Sequence, residues 1–118
     1  MRVLFVDDSI DNLTLYKLYF KKMTEIEIDY FADPREGLTH ALNDKYDLIF
    51  LDIQMPEIDG FEFKAKLDES KIVATICALT GFTDESTLEK IESHNFSEII
   101  KKPILKKDLV ELVEKYKK

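Results

Sequence analysis

Two hydrophobic rhythms alternate along this chain. Short, continuous apolar runs take turns with segments whose apolar residues recur at helical spacing. Arg2–Val6 is the first run, and it ends at Asp7-Asp8. Ile26–Phe31 alternates apolar and acidic residues, which predicts a second strand near a sheet edge. Leu48-Ile49-Phe50-Leu51 is apolar without interruption and runs straight into Asp52, which predicts a strand buried on both faces. Pro56 cannot continue a ladder, so the chain turns there, and Asp59-Gly60 closes the loop. Ile72–Leu79 is the fourth run and ends at Thr80-Gly81; Ser97–Lys101 is the fifth and ends at Lys102-Pro103.

The intervening segments read as helices. Ile10–Met23 follows a cap at Asp8 or Ser9 and carries an inward stripe of Leu15, Tyr16, Tyr19 and Phe20, with Ile10 and Leu13 off that stripe. Asp33-Pro34-Arg35-Glu36 places an acceptor at N-cap, proline at N1 and glutamate at N3, the pattern of a capping box. Leu38, Ala41 and Leu42 then face inward. A helix over Gly60–Leu67 follows, and Thr83-Asp84 caps another over Glu85–Ser93 with Leu88 and Ile91 facing in. The last helix has Leu105, Leu109, Leu112, Val113 and Tyr116 at helical spacing.

Strand and helix thus alternate five times. That order predicts an α/β fold with a five-stranded parallel sheet and helices on both faces. Its 118 residues suit a single domain, 1–118, with one real core. No linker or repeat interrupts it.

Charge narrows the function classes. A formal net charge of −7 argues against non-specific nucleic-acid binding, which needs clustered Lys and Arg. The basic run from Lys101 to Lys118 reads as a solvated helix face. The lone Cys77 sits in an apolar run and reads as a buried, inert thiol. With no signal-peptide pattern and no apolar run of transmembrane length, a cytoplasmic location is expected. His40 and His94 read as surface residues.

In a parallel sheet of this kind, ligands bind at the carboxyl ends of the strands. Functional side chains recur at those ends: Asp7-Asp8, Asp52, Thr80 and Lys102. If the first and third strands are neighbours, three carboxylates crowd together and call for protonation or a cation. All-oxygen donors favour Mg2+ over zinc, for which no nearby His or Cys is present. Asp52, on the most buried strand, suits nucleophilic attack on phosphorus. Thr80 offers a hydroxyl donor and Lys102 a cation for the phosphoryl oxygens.

These motifs resemble the receiver domain of two-component response regulators. They are Val6-Asp7-Asp8, Leu51-Asp52-Ile53-Gln54-Met55-Pro56 with Asp59-Gly60, Ala78-Leu79-Thr80-Gly81 and Lys101-Lys102-Pro103. The resemblance covers Arg2 to Tyr116 and implies the flavodoxin-like strand order 2-1-3-4-5. It implies that Asp52 is the phosphoacceptor, in two-component or phosphorelay signalling. Asp7 and Asp8 would hold Mg2+ with Asp52 and the backbone carbonyl of Gln54, and Asp8 would be the direct ligand of the pair. Thr80 would be the switch hydroxyl and Lys102 the phosphate-binding lysine, followed by a cis bond to Pro103. Gln54 and Phe82 would control water access to the acyl phosphate. The donor would be a histidine kinase or histidine phosphotransfer domain, docking on the first helix through Ile10 and Leu13. Ile99 departs from the pattern, since many members of the family carry Tyr or Phe there as a rotating partner of the threonine.

Three rival readings differ from this one in identifiable residues. A haloacid-dehalogenase-type phosphatase needs Asp-x-Asp after its first strand, and here Ser9 and Ile10 stand at the second position. A nucleotide or flavin module needs a glycine-rich phosphate loop, which is missing. A pseudo-receiver, acting as a phosphorylation-independent interaction module, usually loses an acid or the lysine, and all are retained here. The expected activity is that of a phosphoacceptor rather than of an enzyme turning over a separate substrate.

Overall fold

The computed structural model describes residues 1–117; Lys118, the last of the basic run, lies outside the described residues. Ten elements alternate in order: β1 (Arg2–Val6), α1 (Ile10–Phe20), β2 (Glu27–Phe31), α2 (Pro34–Asn43), β3 (Leu48–Asp52), α3 (Gly60–Glu69), β4 (Thr75–Thr80), α4 (Glu85–Ser93), β5 (Glu98–Lys101) and α5 (Lys106–Tyr116). All strand pairs are parallel, in the order β2-β1-β3-β4-β5. The parallel sheet with helices on both faces is what the alternation predicts, and the flavodoxin-like order is the one the resemblance implies.

The period of two along the central strands divides the core. Val3, Phe5, Phe50, Cys77 and Leu79 face α1 and α5, where they meet Leu13, Tyr16, Phe20, Leu109 and Val113. Leu4, Val6, Ile49, Leu51 and Ile76 face α2 and α3, where they meet Leu38, Ala41, Phe63 and Leu67. Both β1 and β3 are therefore covered on both sides, as the unbroken apolar run of β3 requires. β2 lies at the edge, only half-buried, as its alternation predicted.

Expectations in three segments need correction. The inward stripe of α1 is Leu13, Tyr16 and Phe20, and Leu15 is exposed instead. Apolar residues are so dense on this helix that spacing alone allows either stripe. The sheet decides, because Phe5 stacks on Tyr16 at 5.0 Å between ring centroids and also meets Phe20. Leu13 is 5% exposed and belongs to the core, so it cannot serve as a docking residue. The helix ends at Phe20 rather than Met23.

At the fourth run, β4 begins at Thr75. Lys71 has a positive φ and Val73 projects into solvent, so Ile72 and Val73 belong to the connection. At the last helix, Leu105 is the N-cap residue and is exposed, with no side-chain cap bond. The caps of α2, α3 and α4 are made by Asp33, Asp59 and Asp84, each accepting from a backbone N–H in the first turn. Cys77 is buried, and its thiol pKa is pushed up to about 12 by that burial.

Candidate functional site

The carboxyl ends of β1, β3, β4 and β5 converge on one edge. Register places Val6 beside Leu51 and Asp52 beside Leu79, so Asp7 and Asp52 leave neighbouring strands at the same level. Two bonds carry the ladder past the strand ends: Ile53 N donates to Leu79 O at 3.1 Å, and Lys102 N donates to Thr80 O at 2.8 Å. The loop after β3 is held tightly from below. A side chain at Gly60 would approach the carbonyl of Asp52 and Cα of Ile53 to 2.7 Å, so only glycine lets α3 begin so close to the strand end.

Asp7 is fully buried, Asp52 is 4% exposed and Asp8 is open to solvent. One oxygen from each of the three carboxylates lies within 4.8 Å of the others. Lys102, half-buried, reaches between the two buried acids, with Nζ 3.1 Å from Asp52 Oδ2 and 3.2 Å from Asp7 Oδ2. One cation faces two buried anions, and the imbalance appears at Asp52. Burial first and the charge of Asp7 second push its pKa up to about 7, against the pull of Lys102 and the Gln54 N–H. Burial opposes the charge on Lys102, but Asp52 and Asp7 together hold its pKa above the ordinary lysine value.

Each sequence-predicted residue can be placed. Asp7, Asp8, Asp52 and Lys102 are brought together directly. Gln54 follows Asp52 at the site, and its backbone N–H donates to Asp52 Oδ1 at 3.1 Å. Thr80 lies at the end of β4 and is fully buried, with its hydroxyl engaged by the next loop. Oγ1 accepts from Phe82 N at 3.0 Å and donates to Phe82 O at 3.2 Å. The Lys102–Pro103 bond is cis. Ile99 packs with Ile53, Ala78 and Ile91 beneath α4. His40 is exposed, bonds Asp44 and stacks on Phe31. His94 lies at the surface, partly covered by Phe61 at 4.7 Å between ring centroids.

Sequence reasoning missed one layer of the site. Asp7 Oδ2 also accepts from Tyr16 Oη at 3.1 Å and Asn12 Nδ2 at 3.3 Å, and Asp7 Oδ1 accepts from Ser9 N at 3.0 Å. A signal was present, since Asn12 and Tyr16 are four residues apart and share a helix face. Burial and Asp7 both push the Tyr16 phenol pKa up.

The model of the response regulator receiver domain family matches residues 3–114. The chain belongs to that family. The receiver is similar to the Dictyostelium discoideum hybrid signal transduction histidine kinase L, 31% identical over 99% of this chain and 7% of that protein. It is also similar to the Helicobacter pylori transcriptional regulatory protein FlgR, 31% identical over 100% of this chain and 30% of that protein. The receiver thus spans well under half the length of these curated relatives. Among solved structures, it superposes on the Vibrio cholerae chemotaxis protein CheY4 with a TM-score of 0.84 at 28% identity, covering 98% of both chains. The receiver domain of a LuxO repressor protein from Vibrio parahaemolyticus gives 0.89 at 23% identity over 98% of this chain and 88% of that one, a likeness of fold.

The acidic edge also fits a divalent cation chemically. Its donors are oxygens only, two of the three carboxylates are buried, and their converging charge is under-compensated by a single lysine. Hard-ion chemistry follows from such a set.

Proposed function

We propose that residues 1–118 act as a single phosphoacceptor domain, with Asp52 receiving the phosphoryl group. The observation that carries this reading is the buried Asp52 carboxylate, fixed at the strand end with Lys102 at 3.1 Å and two further acids beside it. Asp8, Asp52 and the Gln54 carbonyl would hold Mg2+, with Asp7 completing the acidic set. Mg2+ bound there supplies charge neutralisation for the phosphoryl oxygens and favours the ionised form of Asp52.

The chain's own residues account for the rest. Ionised Asp52 attacks phosphorus in line. An Oδ–P bond forms while the donor's N–P or O–P bond breaks, and the leaving group departs with that bond's electron pair. Lys102 moves its hydrogen bonds from the carboxylates to the phosphoryl oxygens and stabilises their charge. Thr80 then exchanges its bonds to Phe82 for one to the phosphoryl group, which biases the loop after β4 toward a second arrangement. Ile99 gives this receiver no aromatic ring to follow that movement. Hydrolysis of the acyl phosphate restores the starting state.

The donor we propose is a phosphohistidine on a kinase or phosphotransfer domain, in keeping with the histidine kinase among the relatives, and the setting is the cytoplasm. Docking over α1 would use Ile10, which is 70% exposed, and not Leu13. Incubation with a small acyl phosphate tests the chemistry. The incorporated phosphate should be labile to alkali and hydroxylamine, as a carboxyl phosphate is. An alkali-stable phosphate would contradict the assignment to Asp52.

A further inference from the structure

Tyr16 presents an anomaly of placement. Its ring lies in the aromatic core, stacked on Phe5 at 5.0 Å, and the residue is 2% exposed. Phe20 and Phe50 pack against the same Phe5 as plain phenyl rings. A phenylalanine at position 16 would fill this space without a hydroxyl to desolvate. Burying that hydroxyl costs free energy unless a partner is supplied. Among the described residues, its hydrogen-bond partner is Asp7 Oδ2 at 3.1 Å.

The hydrogen bonds at Asp7 fall into two kinds. Lys102 is a cation shared with Asp52, and in the proposed reaction it turns to the phosphoryl oxygens when they arrive. Tyr16, Asn12 and the Ser9 N–H are neutral donors fixed to the first turns of α1. They hold both oxygens of the carboxylate whether or not Lys102 stays. Once Lys102 leaves, these three donors occupy three of the carboxylate's about four acceptor positions, and the open one is on Oδ1.

We propose that Tyr16, assisted by Asn12, is a positioning residue for the divalent-cation site, clamping Asp7 from the hydrophobic core through a neutral hydrogen bond. The inference rests on the receiver reading above. Its consequence is specific: outer hydrogen bonds to a metal's acids govern affinity for the ion, typically by about 10–100-fold. Deleting the hydroxyl should therefore act on Mg2+ binding and leave the maximal phosphorylation rate largely intact.

The experiment is calorimetric titration of Mg2+ into the full chain, for wild type, Tyr16→Phe, Asn12→Ala and Tyr19→Phe. Tyr19 is the control, since its hydroxyl, on the same helix, donates to the Ile104 carbonyl. Thermal unfolding without Mg2+ accompanies each titration. The expected result is Mg2+ binding weakened about tenfold by Tyr16→Phe, weakened less by Asn12→Ala, and unchanged in Tyr19→Phe. In phosphorylation by a small acyl phosphate, the half-saturating Mg2+ concentration should rise in step, with the rate recovered at saturating Mg2+. Unchanged or tighter Mg2+ binding by folded Tyr16→Phe overturns the proposal, as does a rate loss that Mg2+ does not restore. If Tyr16→Phe fails to fold, Asn12→Ala decides, and unchanged affinity there overturns it. Wild type that binds no Mg2+ would remove the receiver reading itself, a result distinct from a clamp that does not matter.

Discussion

Lys102 Nζ stands 3.1 Å from Asp52 Oδ2 and nearly as close to Asp7, so one ammonium group serves two buried carboxylates. The three charges do not cancel. This edge of the sheet is held together against its own electrostatics, and a cation or a phosphoryl group changes that balance.

Asp52 should therefore destabilise the metal-free protein. Its folded pKa, about 7, lies above the ordinary carboxylate value, so the folded state keeps a proton that the unfolded chain gives up. Stability from this group is complete below about pH 4 and is lost as pH rises through about 7. Asp52→Asn is expected to raise the midpoint of thermal unfolding near pH 8 without divalent ions, by on the order of 5 °C, and to change it little near pH 4. Scanning calorimetry at the two pH values checks this. An equal gain at both would show that the charge of Asp52 is not the cause.

Lys102→Met should act in the opposite direction. It leaves two buried carboxylates facing each other, and breaking such a pair commonly costs about 3–5 kcal/mol, less here because the Lys102 side chain is partly exposed to water. The loss is expected near pH 8 and should shrink near pH 5, where Asp52 takes up its proton. Denaturant titrations at both values measure it, and a loss independent of pH would contradict the electrostatic account.

The helix α1 offers a test by contrast. Leu13→Asp places a charge in the core and is expected to cost several kcal/mol, enough to unfold the domain. Ile10→Asp changes an exposed position and should stay within about 0.5 kcal/mol of wild type. In phosphotransfer assays, Ile10→Asp is expected to slow transfer from a phosphohistidine protein while sparing transfer from a small acyl phosphate. Equal slowing with both donors would remove α1 from the docking surface.

These contrasts show where sequence was informative. Alternating strands and helices made the parallel sheet and its covering helices legible, because a parallel strand needs a crossover and a crossover needs room, whereas the strand order came only with the receiver motifs. Asp7, Asp8, Asp52, Thr80 and Lys102 were legible because each closes a strand, and strand ends share an edge. The buried side of α1 was not. With Ile10, Leu13, Leu15, Tyr16, Leu18, Tyr19 and Phe20 on one helix, spacing admits more than one apolar stripe, and the sheet's own aromatic rings make the choice. Tyr16 was hidden for the same reason, as its ring answers the core pattern while its hydroxyl answers the site.

Cys77 gives a separate check on the core. Burial holds its thiol far above neutral pKa, so thiolate is scarce and access is closed. A chromogenic disulfide reagent should leave the native thiol unreacted on the timescale that titrates it fully in denaturant. Rapid native reaction would mean that β4 opens readily.

The central claim is decided most directly by intact-protein mass after incubation with a small acyl phosphate, with and without Mg2+, for wild type and Asp52→Asn. The expected result is a gain of one phosphoryl group in wild type, dependent on Mg2+ and absent from Asp52→Asn. An equal gain in Asp52→Asn would contradict Asp52 as the phosphoacceptor. No gain in wild type, even with a phosphohistidine protein as donor, would make this receiver an interaction module that works without phosphorylation.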